Sequence, residues 1–290
     1  MASVTEFETR RGKLFGLAYR LLGSAAEAED TVQDAYLRWD KADRAAITHP
    51  DAWLAKVVTN LCLNRLTAAR TTRERYVGQW LPEPVPTDHL GPLETAEQRE
   101  SVSLAMLVLL ERLTPAERAV FVLREAFGYG HGDIAEVMEL SEANCRQLYR
   151  RATRHLADHK PRFQPSREDR ERLAAQFLAA AQNGDLRALE NLLAEDITSW
   201  ADSDGRHPTA RKPVTGRANA ARYFTGAWQK VPDGLAFTFA EVNGGTALVA
   251  AFGDTVVGVV ALEFDGDRIA RVRIVANPAK LSHFTTLAGS

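Results

Sequence analysis

Between Gly132 and Arg154 the chain concentrates side chains suited to reading a DNA groove. Glu142, Asn144, Arg146 and Gln147 each offer groups that pair with base edges in the major groove, and Arg150 and Arg154 follow at helical spacing. Residues 143–162 hold six basic side chains against one acid, Asp158, on a protein whose net charge is only −2. A basic helix end by itself is usually just solvated, so the chemistry depends on what positions it. Residues Gly132 to Met138 have the apolar spacing of a short helix, Leu140-Ser141 turns the chain, and Glu142 begins a second helix. That is a helix-turn-helix pattern: the first helix crosses the phosphate backbone, and the polar start of the second, from Ser141 onward, enters the groove. An ordinary helical hairpin with a solvated basic face has the same pattern, so the elements around it must decide.

At 290 residues the chain suits two or three domains, and 45% hydrophobic with 26% charged residues is the composition of a folded globular protein. Charged residues from Glu6 to Lys13 interrupt the N-terminus, so it lacks the apolar run of a signal peptide. No segment approaches the roughly 18 apolar residues of a membrane helix, so no membrane association is expected and the expected location is the cytoplasm. Cys62 and Cys145 belong to no Cys-x-x-Cys pair, and a reducing compartment argues against a disulfide between them.

The first domain, 1–75, reads as a helical bundle. Phe7, Leu14, Leu17, Ala18, Leu21 and Leu22 recur at helical spacing, Gly23 stops that helix, and Ser24-Ala25-Ala26-Glu27 caps the next, which runs to about Asp40 with Val32, Ala35, Tyr36 and Trp39 inward. Pro50 opens a third helix carrying Trp53, Leu54, Val57, Val58, Leu61 and Leu66. Residues 76–96 then hold four prolines and three acids with no base, an extended acidic linker. Helical periodicity resumes over 97–162, where Thr114-Pro115-Ala116-Glu117 is a further capping box. From 168 to 290 the pattern is α+β: helices near Arg170–Ala181, Leu186–Ala194 and Ala218–Gln229, a turn-rich stretch Asp202–Pro213, and strands at Phe237–Val242, Thr246–Ala251, Val256–Glu263 and Ile269–Val275.

Leu17-Ala18-Tyr19-Arg20-Leu21-Leu22-Gly23, Ala28 through Trp39, and Pro50-Asp51-Ala52-Trp53-Leu54 through Leu66 resemble, in order, region 2 of the extracytoplasmic-function sigma factors, and the helix-turn-helix lies where their region 4 belongs. Trp80-Leu81-Pro82-Glu83-Pro84 resembles the linker motif of the SigJ-type group, whose members carry a SnoaL-like, NTF2-like C-terminal domain. Val242-Asn243-Gly244 and Ala276 through Leu281 resemble that domain. Where many members have an Asp-Gly-Gly-Gly-Lys loop, this chain has Asp202-Ser203-Asp204-Gly205-Arg206. The expected architecture is therefore two all-α sigma domains followed by an α+β NTF2-like cone.

The resemblance implies a protein that binds core RNA polymerase, through its largest and second-largest subunits, and directs it to promoter DNA. Asp30, Gln33 and Asp34 match the core-binding positions. Thr48, Asp51, Asn60, Asn64, Arg65, Arg70 and Arg73 match those that handle the −10 element. Ser141, Glu142, Asn144, Arg146, Gln147, Arg150 and Arg154 are expected at the −35 element. Trp80–Pro84 and Asp202, Asp204, Gly205 and Arg206 are expected to meet in a regulatory contact, and the acidic linker to thread toward the polymerase active-site cleft.

Blander readings stand beside these. The three core-binding positions make an acidic surface patch, the linker a plain spacer, and Trp53 a core residue rather than a stacking platform. SnoaL-like folds include cyclases and isomerases, and Asp202, Asp204 and His207 could be cast as acid or base, but a fold does not carry its function with it. A sensor of an unidentified small ligand is the better alternative for that domain. His155 and His159 have the spacing of metal ligands without a third partner, and no nucleotide loop is present, so no catalytic residue, metal or cofactor is assigned.

Overall fold

The computed structural model describes residues 2–73, 78–90, 96–157, 165–205 and 209–284, with side chains described over 5–68, 78–90, 98–157, 165–205 and 209–284. It divides into two compact units. One comprises Met1–Arg75 with Asp88–His159, the other Tyr76–Thr87 with Lys160–Ser290.

The first unit is all helix: α1 (Ala2–Leu22), α2 (Ala25–Lys41), α3 (Pro50–Arg73), α4 (Ala96–Val102), α5 (Leu104–Leu110), α6 (Pro115–Glu125), α7 (His131–Met138) and α8 (Glu142–Leu156). Gly23, at φ +67°, lets α1 end and turn without a Cβ clash, and Ser24 Oγ then accepts the Glu27 amide at the start of α2. The apolar stripe of α1 is buried as its periodicity requires, together with Val32, Ala35 and Trp39 of α2 and Leu54, Val58 and Leu66 of α3. Trp53 is half-buried, its ring centroid 5.8 Å from that of Trp39. The box at Thr114 is complete: Thr114 Oγ1 accepts the Glu117 amide and Glu117 Oε2 accepts the Thr114 amide.

Two arginines hold α1 and the later helices together. Arg118, 2% exposed, donates from Nε and Nη2 to the Arg20 carbonyl at 3.2 and 3.1 Å and from Nη1 to Glu111. Arg20 in turn donates to the Gly16 carbonyl, Ser101 Oγ and the Gln98 carbonyl, and its burial pushes the guanidinium pKa down to about 10. A buried guanidinium with this many acceptors fixes geometry, because each lost partner leaves a desolvated charge.

The second unit contains α9 (Arg167–Gln182), α10 (Leu186–Leu192), β1 (Leu193–Asp202), β2 (Val214–Thr215), α11 (Arg217–Trp228), β3 (Ala236–Val242), β4 (Gly245–Phe252), β5 (Thr255–Asp265) and β6 (Arg268–Val275). The sheet order is β2-β1-β6-β5-β4-β3, with β1 parallel to β6 and the other pairs antiparallel. Phe177, Leu189, Ile197, Phe224, Leu248, Leu262 and Val272 belong to the apolar core that the three helices share with one sheet face. The four C-terminal strands and the Asn243-Gly244 turn, with φ +53° and +72°, agree with the hairpin chemistry of the sequence.

Strand β1 does not follow the expectation: the helix predicted to Ala194 ends at Leu192, and residues assigned to helix or left without structure form a central strand. Its register shifts between Leu193 and Thr198, so the polar stretch Glu195-Asp196 breaks the alternation that would have announced it. Asp202, expected in the turn-rich stretch, is the last residue of that strand.

Candidate nucleic-acid interface and regulatory contact

Helix α8 buries Cys145, Ala152 and Leu156 and leaves Glu142, Asn144, Arg146, Gln147, Arg150 and Arg154 exposed. The buried stripe comes from one helical face, so the six polar residues spread over the rest. Ser141 caps the helix, its Oγ accepting the Asn144 amide, and points the positive end of the helix outward. Tyr149 ties α8 to the preceding helices through an edge contact with His131, a stacked contact with Phe121 and a 2.7 Å hydrogen bond to Glu125. Arg146 and Glu142 pair at 2.9 Å, both about half exposed, so the guanidinium is held by its own helix until something stronger displaces it.

On α2, Asp30 and Gln33 are exposed and Asp34 half-buried, with Trp39 buried on the opposite side. The sequence placed Arg65 among strand-binding residues, yet its Nη2 lies 2.7 Å from Asp34 Oδ2 and its Nη1 3.9 Å from Asp30 Oδ2. The acids of α2 and the Arg65 guanidinium of α3 thus neutralise each other. Thr48, just before α3, and Asp51 and Asn64 on it are exposed, and Asn60 is half-buried; the side chains of Arg70 and Arg73 lie outside the described residues. Asp51 pairs with Arg10 Nε at 2.6 Å.

The contact between the Trp80–Pro84 segment and the C-terminal domain is the most tightly built of the candidate sites. Asp202, 1% exposed at the end of β1, accepts from Lys280 Nζ at 2.7 Å and from the Leu81 amide at 2.8 Å through the same oxygen, Oδ2. Lys280 also donates to the Leu81 carbonyl at 2.6 Å, and its ammonium sits 4.4 Å from the centroid of the Trp80 ring. Leu81, Pro82, Glu83 and Pro84 are all buried, Leu81 to 2%. Farther along, the Val85 amide donates to Asn243 Oδ1, the Asn243 amide to the Val85 carbonyl, and the Gly244 amide to Thr87 Oγ1, while Pro86 bridges Val242. The segment is no plain spacer. Its Glu83 is buried with the rest of the segment.

Of the loop residues, Asp204 at φ +51° and Gly205 at +68° carry the turn after β1; Arg206 and His207 lie outside the described residues. Asp202, cast in the sequence as a candidate acid or base, is here held in an ion pair with Lys280 and by the Leu81 amide. Lys280 and Asn243 stand in the sequence within family-like motifs, but their roles depend on contacts 199 and 158 residues away in sequence, which no local signal reveals. Lys56 was missed altogether. Its Nζ lies 2.9 Å from Glu139 Oε1. Both cysteines are buried free thiols, and burial pushes the Cys62 pKa up. Among the described residues no three His, Cys, Asp or Glu side chains cluster as metal ligands, and no helix is long and apolar enough to cross a membrane. His155 instead lies 3.6 Å from the capping Glu117, and His159 is outside the described residues.

Comparison with known proteins gives three family matches in chain order: Sigma-70 region 2 over residues 7–72, Sigma-70 region 4 over 103–156 and the SnoaL-like domain over 174–277. The chain is 38% identical to the ECF RNA polymerase sigma factor SigJ of Mycobacterium tuberculosis, across 96% of this chain and 93% of that protein. It is 30% identical to the probable ECF RNA polymerase sigma factor SigI of the same organism, across 95% and 93%. The crystal structure of the M. tuberculosis factor SigJ superposes with a TM-score of 0.77 at 35% identity, covering 97% of this chain and 98% of that one.

Proposed function

The chain belongs to the extracytoplasmic-function family of RNA polymerase sigma factors, which join core RNA polymerase and direct it to promoters, and we propose how its parts divide that work. Asp30, Gln33 and Asp34 on α2 form the docking face for the clamp helices of the largest subunit, with further contacts to the second-largest. The Thr48–Trp53 segment and α3 handle the −10 strand. Helix α8 enters the major groove at the −35 element, Arg146 and Gln147 reading bases and Arg150 and Arg154 following the backbone. The protein works in the cytoplasm with the polymerase.

The C-terminal domain controls the linker. In the family the linker runs toward the polymerase active-site cleft; here its residues 81–86 are buried against the SnoaL-like domain. One segment does not occupy both places. The domain therefore withholds the linker, and transcription requires the contact to be remodelled. The observation that carries this reading is the triad in which Lys280 and Asp202 grip both backbone groups of Leu81.

Run-off transcription with core polymerase tests it. Lys280→Met frees the linker and raises transcript yield at equal protein and equal core binding. A variant that binds core normally but transcribes less would mean that the docked linker assists initiation.

A further inference from the structure

Helix α7, the first helix of the helix-turn-helix, packs on α3 within the first unit. Between them lies a cavity of about 750 Å³, bounded by Thr48, His49 and Trp53 on one side and by Tyr129, Asp133 and Glu136 on the other. Asp133 and Glu136, three residues apart on α7, line it on the side facing the segment assigned to the −10 strand, and Asp133 also accepts the Gly130 amide at the start of that helix. Glu139, the residue that caps the C-terminus of α7, pairs with Lys56 of α3 at 2.9 Å.

Local physics disfavours a glutamate at position 139. The residue caps the C-terminus of α7 at φ +55°, a left-handed conformation that glycine or asparagine takes at lower cost. A carboxylate there also meets the negative end of the helix dipole. What the side chain gains is Lys56, whose hydrogen bond and then charge hold the Glu139 carboxyl below its usual range. The pair is 72% exposed on the acid and 39% on the lysine, so it is weak and easily exchanged. Exchange is what a removable cover needs.

We propose that Lys56 contacts a phosphate of the melted −10 strand, and that in the free protein the acidic face of α7 covers it as a stand-in for that strand. The inference rests on the assignment of the Thr48–Trp53 segment to the −10 strand. It implies that lobe separation, not only docking, uncovers the strand-binding surface.

The full-length chain, without polymerase, is titrated into a short fluorescent single-stranded DNA of randomised sequence. Glu139→Gly suits the backbone, so the fold is retained and the thermal midpoint does not fall. Affinity should rise about two- to fivefold, the worth of one exposed pair, with a steeper salt dependence. Lys56→Ala should change little in the wild-type background but erase the gain in Glu139→Gly. Unchanged or weaker binding by Glu139→Gly overturns the cover. An equal loss from Lys56→Ala in both backgrounds also overturns it, because Lys56 would already be free. If Thr48→Ala and Lys56→Ala both leave run-off transcription by the core-bound protein unaltered, it is the −10 assignment that fails.

Discussion

Lys280→Met removes the ammonium from the linker lock while keeping a stem of similar length against Trp80. In the wild type, Lys280 is the cationic partner of an aspartate with 1% exposure and also satisfies the Leu81 carbonyl. Breaking a buried pair on one side typically costs about 3–5 kcal/mol, because the remaining charge is left desolvated. Asp202 would retain the Leu81 amide but lose the Lys280 ammonium at 2.7 Å. The cheapest relief is for residues 78–86 to lift away and admit water, which leaves the apolar core of α9, α10, α11 and the sheet intact. A cost of that size corresponds to roughly a hundred- to several-thousandfold more frequent opening. Hydrogen exchange followed by mass spectrometry reads it directly: the amides of Leu81 and Val85, bonded to Asp202 and Asn243, should lose protection by about that factor. Amides of α6 in the other unit should keep theirs. The double change Asp202→Asn with Lys280→Met serves as the control, since the asparagine oxygen still accepts from Leu81 without a buried charge; most of the protection should return. Unchanged exchange at Leu81 in Lys280→Met would refute the reasoning, as would a double variant no better protected than the single.

Three further outcomes are expected. Asp34→Lys should abolish pull-down of core polymerase with no loss of helicity, because the site is partly exposed and its partner Arg65 tolerates solvent. Arg146→Ala should cost about 1–3 kcal/mol on promoters with the preferred −35 sequence and flatten the preference there; a uniform loss on every sequence would make it a phosphate contact. Trp80→Ala and Lys280→Met should combine non-additively in run-off transcription, as residues sharing one contact do, and effects that add would separate the ring from the lock.

The helices of the first unit were legible because their information is local. Periodic apolar residues, Gly23, Ser24 and the Thr114 box declare where each helix starts, stops and faces within a few residues of themselves. The same holds for the hairpin at Asn243-Gly244 and for the exposed polar side of α8, which follows from the burial of Cys145 and Leu156. Strand β1 escaped notice because its register shift erases the alternation that marks a strand, and its place beside β6, about 75 residues away, supplies the missing pairing. The roles of Lys280, Asn243 and Lys56 belong to tertiary structure for a related reason. A lysine or asparagine near a turn has no local property that separates a solvated side chain from one gripping a distant backbone. Burial decides it, by removing water as the competing partner, and burial is known only when Asp202, Leu81 and Lys280 have been brought together by the fold. The sequence by itself determined the family, the order of the domains and the exposed polar face of α8; the seating of residues 81–86 on the C-terminal domain and the pairing of Glu139 with Lys56 were decided by packing between segments remote in the chain.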